Sequence, residues 1–489
     1  MRLSIILLLA SCVFLFVLFE IRLLKTPLII TSQASLLAAW DFIPQLRNLN
    51  AFATNTNCST ARGEADNEKF RQAVTFLPLI DVRYHKNAED GNTWFMSSLS
   101  DKQEEGQAQY QKFPSEASDG RLLCIKGRNA DNGAWNSYAL AWSETLPYNA
   151  TLLKGLTIVS NNHFGHDYMW YNPWHGLTAM VPIVSWHIKN GCTRVPPTPR
   201  FVFYHRGELR TKIGKWITTL MEATFNGPLD IEGFDFLGGD GGGGGDQAVC
   251  FEEALVFRRN EKLMAVQRRK EACDLIRCKA WGYCNVSFAA AEGGGGGGGG
   301  GGIGMTLIFR TGSRSFKNET AVVGIFEKEC KKVEGCQLRV VHSDNLTVCE
   351  QVKLMSVTDI VVSPHGAQLA NMILMKPNST VMEIFPKGWL ELGGVGQYVL
   401  HWLASWSGMN HPGVWRDSEG DPVPYKFPDN EHFMSLYKNA QIGHNETYLS
   451  AWARDVLNDV KQRKLVEGKE KGKGGSEYAS GCACSAAEP

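Results

Sequence analysis

Two arginines four residues apart, Arg310 and Arg314, follow a short apolar run and flank a glycine turn in RTGSRSFKN. Two guanidiniums beside a helix start suit a diphosphate, because each presents a planar fork of donors that matches phosphate oxygens. His365 and Gly366 stand in the same relation to a second apolar run, DIVVSP, and Ala367 and Gln368 open the element that follows. Free N–H groups at a helix start attract an anion, glycine lets that anion approach the backbone, and an imidazole can donate to a phosphate oxygen. Taken singly, strand-end arginines are commonly just solvated and a His-Gly pair is commonly a turn. Their joint position on one edge of one sheet favours a site. Glu383, at the end of the next apolar run, is placed either to accept hydrogen bonds from ribose hydroxyls or to sit in solvent as a strand-end carboxylate.

A second cluster lies in NNHFGHDYMWYN, from Asn161 to Asn172. His163, His166 and Asp167 fall within five residues, among many aromatics. A histidine oriented by a carboxylate is a suitable base near neutral pH. His166 or Asp167 is the preferred base, with His163 in support. The same three residues also suit simple packing beside a cleft, and the helical spacing of His163 and His166 allows a metal, although no further ligand is identifiable. Trp170, Trp174 and Trp186 are either platforms for sugar faces or, more commonly for tryptophan, core. No Asp-x-Asp occurs in the 489 residues, so the usual carboxylate pair for a metal-bridged diphosphate is missing. The expectation is chemistry with no metal and no cofactor.

These residues need a frame. From Met305 onward the chain alternates continuous apolar runs with helix-patterned segments. MTLIFR, CQLRVVHS, DIVVSP and TVMEIFP read as strands. NETAVVGIFEKECKKVEG, TVCEQVKLMSV and AQLANMILM read as helices, the first capped by Asn318 and stopped by Gly335. Uninterrupted apolar strands alternating with helices mean a parallel sheet covered on both faces. Such a Rossmann-like sheet binds ligands beyond the carboxyl ends of its strands, where Arg310 and His365 stand.

The composition is that of an ordinary globular protein, 44% hydrophobic and 20% charged with zero net charge, which gives no basic excess for a nucleic-acid partner. Leu3–Phe19 is a 17-residue uncharged run. It reads as a single-pass signal anchor in preference to a cleaved signal peptide, and it continues past the lipoprotein-like LASC. Sequons at Asn57, Asn149, Asn285, Asn345 and Asn445 are glycosylation candidates. Those at Asn318 and Asn378 fall within the motif region, where a glycan would crowd the site. Twelve cysteines follow the anchor, clustered at Cys273, Cys278, Cys284 and at Cys330, Cys336, Cys349. They are disulfide candidates for an oxidising lumen, and zinc is disfavoured because the tight Cys-x2-Cys knuckle is missing. The expected organisation is a cytosolic tip and anchor helix at 1–22, a stem at 23–69 and an N-terminal domain at 70–292 with a glycine-rich insertion at 238–246. A glycine linker at 293–304, a second domain at 305–460 and a low-complexity tail at 461–489 complete it.

IFRTGSRSFKNE, SPHGAQLANMILMKPNSTVMEIFP and VCFEEALVF (Val249–Phe257) resemble glycosyltransferase family 61, which includes xylosyl-, arabinosyl- and N-acetylglucosaminyltransferases. The family's Arg-x3-Arg-x3-Asn-Glu step matches Arg310, Arg314, Asn318 and Glu319. Its His-Gly-Ala-Gln-Leu step matches His365 to Leu369, and its His-x2-His-Asp segment matches His163, His166 and Asp167. The resemblance implies an α/β protein of two facing Rossmann-like domains, the type B glycosyltransferase fold. It further implies a UDP-sugar donor, inversion at the anomeric carbon and a glycoprotein or polysaccharide acceptor. With the anchor, this places the chain in the Golgi or endoplasmic reticulum membrane with its catalytic part lumenal. Pro364 before His365 and the ten-glycine run Gly293–Gly302 depart from the family pattern. They leave open the alternative of an inactive lumenal protein that binds glycans or nucleotides.

Overall fold

The computed structural model describes residues 106–115, 122–126, 138–142, 150–162, 171–205, 208–209, 213–231, 248–258, 264–286, 302–387, 398–417, 419 and 440–471. The anchor run Leu3–Phe19, the stem and the sequons at Asn57 and Asn149 lie outside these residues. Among the described residues no helix is long and apolar enough to cross a membrane.

The first half forms a mixed sheet. Its strands are β1 (Tyr110–Phe113), β2 (Leu122–Lys126), β3 (Tyr138–Trp142), β4 (Thr151–Asn162), β5 (Arg200–His205), β6 (Glu208–Leu209), β7 (Asp230–Ile231) and β8 (Ala248–Arg258). β8, β4, β5 and β7 run parallel, with β4 at the centre. β1 and β2 run antiparallel to β8, β3 antiparallel to β2, and β6 antiparallel to β5. A Rossmann-like sheet was expected here, and only the parallel set around β4 has that character. The disulfide Cys124–Cys250 joins β2 to β8. Three helices follow the parallel strands: α1 (Pro173–Lys189), α2 (Lys215–Phe225) and α3 (Val266–Tyr283). Asn172 caps α1 by accepting from the Trp174 N–H, and Pro173 stands at the first helical position, where no N–H is needed.

The second half is the alternating unit the sequence predicts. β9 (Gly304–Phe309), α4 (Glu319–Cys330), β10 (Gln337–His342), α5 (Val348–Ser356), β11 (Ile360–Pro364) and β12 (Thr380–Phe385) appear in that order. α6 (Val399–Trp406), β13 (Val414–Arg416) and α7 (Glu446–Lys471) complete it. β9, β11 and β12 are buried along their whole length, which is why they read as unbroken apolar runs. All five strands are parallel, in the order β10-β9-β11-β12-β13. This is the doubly wound order in which the winding reverses between the first and third strands, here β9 and β11. The segment after β11 is a 3-10 helix, Ala367–Leu374, buried from Leu369 to Leu374. Helix α7 continues to Lys471, past the expected domain limit at residue 460, and pins the far edge of the sheet. Its Lys464 reaches Asp359 and Gly302 O, and its Arg463 reaches Thr380.

The two sheets share one core. Trp174, Trp186, Phe201 and Ile217 of the first half belong to the same apolar cluster as Ile308, Val361, Leu369 and Val381 of the second. Trp174 stacks on Trp406 at 5.9 Å, and Trp186 is almost fully buried, so both tryptophans are core and not sugar platforms. Polar ties cross the same boundary: Trp216 Nε1 donates to Asn371 Oδ1, Trp281 Nε1 to Leu374 O, and buried Arg277 to the carbonyls of Ile373 and Ser407. Each satisfies a group that would be costly to bury alone. The disulfide Cys284–Cys349 links the end of α3 to the first turn of α5, and Cys330–Cys336 closes the end of α4. Cys278 is also disulfide-bonded, which removes the zinc alternative for its cluster, and Cys273 is a buried free thiol.

Candidate active site

β9 ends at Phe309, and the chain turns through Arg310–Lys317 before Asn318 caps α4 by accepting from the Ala321 N–H. Gly312 and Arg314 both adopt left-handed backbone angles in this turn. The turn is stitched to the segment before α7 by Arg314 N to Ala440 O, Ile442 N to Ser315 O and Lys317 N to Ile442 O. That segment is held in turn by Asp417, which accepts from the Gly443 N–H. The loop carrying both arginines is therefore fixed from two sides.

Across the switch point, Ser363 donates from Oγ to Ile308 O at 2.8 Å and ties the carboxyl ends of β11 and β9 together. His365 continues the β12 ladder through its N–H to Ile384 O. Arg310 reaches over from β9. Its Nη1 lies 3.3 Å from Gln368 Oε1 and 3.5 Å from His365 O, and its Nη2 lies 3.5 Å from Ser313 Oγ. All three bonds are at the long limit for a charged donor. Arg310 Nε is buried without a hydrogen-bond partner, and among the described residues no carboxylate pairs with this guanidinium. Burial pulls Arg310 below the ordinary arginine range, with Asp344 opposing the shift. Gln368 is oriented by donating from Nε2 to Pro364 O and Ser363 Oγ, so its oxygen faces Arg310. The structure thus brings Arg310, His365, Gly366 and Gln368 together at the switch point, where Ala367 opens the 3-10 helix. Arg314 sits in the same fixed loop.

Glu383 departs from expectation. It is fully buried and is not the solvated strand-end carboxylate of the alternative reading. Oε1 lies 2.5 Å from His365 Nδ1, and Oε2 lies 2.9 Å from His411 Nε2. Burial alone would raise this carboxyl, but the hydrogen bonds from the two imidazoles, reinforced by their charge, outweigh it and hold the group below the usual carboxylate range. The His365 ring also stacks on Phe385 at 4.7 Å. The sequence reading missed His411 altogether. It lies in the loop after α6, 28 residues from Glu383, and no local pattern marks it.

Asn378 also lies elsewhere than expected. It precedes the amino end of β12 and donates to Glu467, so it stands at the opposite edge of the sheet from His365 and would not crowd the site. Asn318 does stand on the site edge. Asn285 and Asn345 are exposed, and Asn445 is half-buried at the start of α7. The candidate base residues His163, His166 and Asp167, with Trp170, lie outside the described residues, in the stretch that connects β4 to α1.

A search of curated proteins returned no match. Residues 249–382 match the family model described as Glycosyltransferase 61. That span runs from β8 to the middle of β12 and contains Arg310, Arg314 and His365 to Gln368. That match supports membership of glycosyltransferase family 61.

Proposed function

We propose that this protein is an inverting glycosyltransferase that moves N-acetylglucosamine or xylose from a UDP-sugar to a hydroxyl of a glycoprotein or glycan. One observation carries the reading: a half-buried guanidinium, Arg310, stands at the switch point of a doubly wound sheet with no carboxylate partner among the described residues. A half-buried cation left in that condition suits an anionic ligand, and a diphosphate offers oxygens for its fork. Arg314 and His365 would add charge and a donor as negative charge develops on the leaving group.

In the proposed step the acceptor oxygen attacks the anomeric carbon on the face opposite the diphosphate. The carbon–oxygen bond to the β-phosphate breaks, and its electron pair leaves with UDP. The acceptor's proton passes to a base, for which His166 or Asp167, supported by His163, are the candidates. The parallel strands around β4 and the doubly wound second sheet support a type B arrangement, with the acceptor on the first half. Because no Asp-x-Asp is present, leaving-group neutralisation is assigned to Arg310, Arg314 and His365 and not to a bridging metal. Leu3–Phe19 would anchor the chain in the Golgi or endoplasmic reticulum with this domain lumenal, consistent with its disulfides.

The test is UDP release from UDP-N-acetylglucosamine and UDP-xylose by the purified chain, with and without EDTA. Release from one donor that persists in EDTA is the expected result. Activity abolished by EDTA and restored by Mn2+ would overturn the metal-free assignment. Failure to bind UDP at all would overturn the transferase reading.

A further inference from the structure

Behind His365 lies a chain of ionisable groups that no part of the mechanism above uses. Glu383 takes His365 Nδ1 on one oxygen and His411 Nε2 on the other. The His411 ring meets the His401 ring edge to face at 5.0 Å, and His401, near the start of α6, is exposed. The side chains of His365, Glu383 and His411 are at most 8% exposed, so this is a buried line from the switch point to the surface.

The line is built, not incidental. The loop carrying His411 is laid against β12 by Val381 N to Asn410 O and Asn410 N to Ser379 O, with Asn410 Nδ2 donating to Asn378 O. Glu383 lies on the β12 face that also carries Val381 and Phe385, opposite the face that carries Met382 and Ile384. A carboxylate buried there is tolerated only if its charge is met by donors. The two imidazoles are those donors, and His365, His411 and His401 are the ionisable groups that act on it or on each other.

We propose that Glu383 and His411 are positioning residues for the donor site. Together they hold the His365 ring as an imidazolium with its Nδ1–H on the carboxylate and its Nε2–H presented to the leaving diphosphate, and His401 connects the unit to solvent. This rests on the transferase reading given above. The carboxylate fixes the ring angle of His365 and favours its doubly protonated form, whose Nε2–H can donate to a phosphate oxygen, much as buried partners orient metal-bound or catalytic histidines. His411 in turn keeps that carboxylate ionised. Its Nδ1 is buried with no hydrogen-bond partner among the described residues.

The test compares wild type, His411→Phe and His411→Gln in steady-state UDP release across pH, with UDP affinity measured alongside. His411→Phe removes one donor from Glu383, so the carboxyl rises and protonates at higher pH. The acid limb of kcat should move upward in pH, and kcat should fall about tenfold to a hundredfold, more than KM changes, because the bond to the leaving group strengthens only in the transition state. His411→Gln keeps an N–H donor but holds no charge, so it should recover part of kcat while the acid limb stays displaced. If His411→Phe does not fold, the limb of His411→Gln decides the matter. An unchanged kcat and an unmoved limb in a wild type that binds UDP would overturn this inference and leave the transferase reading standing. A wild type that does not bind UDP would overturn both.

Discussion

Arg310 crosses directly over Gly366. A Cβ built on Gly366 would lie 2.2 Å from Arg310 Nη1 and 2.4 Å from Gln368 Oε1. The glycine is therefore required by proximity and not by backbone angle, since its φ of 164° is extended and open to any residue. The atoms in the way are the far ends of two flexible side chains, which can move aside.

Gly366→Ala should therefore leave stability within about 1 kcal/mol and act on the ligand instead. Displacing the guanidinium forfeits a charge-assisted bond of roughly 1.5–3 kcal/mol, so UDP affinity should drop about 10- to 100-fold. Calorimetric titration with UDP, paired with a melting curve, checks both halves. A variant that melts much earlier yet binds UDP normally would make Gly366 a folding residue only.

Arg310→Met gives the complementary contrast. A half-buried cation with no carboxylate partner among the described residues contributes little to folding, and removing it strands no opposite charge there. Stability should hold or rise by about 1 kcal/mol while UDP binding is lost by roughly the same factor as in Gly366→Ala. Strong destabilisation in urea, of several kcal/mol, would show instead that Arg310 is a structural tie between β9 and the 3-10 helix.

The legibility of these features divides along physical lines. β9, β11 and β12 are buried end to end, so each prints an unbroken apolar run, and the turn residues Arg310, His365 and Gly366 could be placed on one edge from the sequence alone. The 3-10 form of Ala367–Leu374 was not legible, because burial all round erases the helical period. Glu383 and His411 meet only because β13 brings the loop after α6 alongside β12, a contact set by tertiary order. Asn378 misled for the opposite reason. It is close to His365 along the chain, but β12 begins at one edge of the sheet and ends at the other. In the first half, β2 (LLCIK) and β3 (YALAW) also carry apolar runs, but their antiparallel pairing is set by tertiary order and leaves no local mark.

The disulfides Cys284–Cys349 and Cys330–Cys336 should differ in weight. Cys284–Cys349 closes a separation of 65 residues and clamps α3 to α5, whereas Cys330–Cys336 closes one of 6. Loop-closure entropy gives roughly 4 kcal/mol for the first and roughly 2 kcal/mol for the second. Paired Cys→Ser variants, compared by urea unfolding, should rank in that order. Equal losses, or a greater loss at Cys330–Cys336, would mean that local packing dominates chain entropy here.

His187 supplies a stability test independent of the site. It sits inside α1, almost fully buried, with its ring edge-on to Phe225 at 5.1 Å and its Nδ1 without a hydrogen-bond partner among the described residues. Burial, assisted by Lys279, pushes its pKa down to about 4 from the ordinary 6.5. Between those two values the unfolded chain takes up a proton that the folded chain refuses. Stability is therefore intact above about pH 6.5, declines as pH falls, and has lost about 3 kcal/mol by pH 4 on this account. His187→Phe keeps a ring against Phe225 and has nothing to protonate. Its unfolding free energy, measured in urea from pH 7.5 to pH 4, should fall less than that of wild type by about that amount. If the two proteins lose stability in parallel across this range, His187 is already solvated or hydrogen-bonded in its charged form, and the acid sensitivity lies elsewhere.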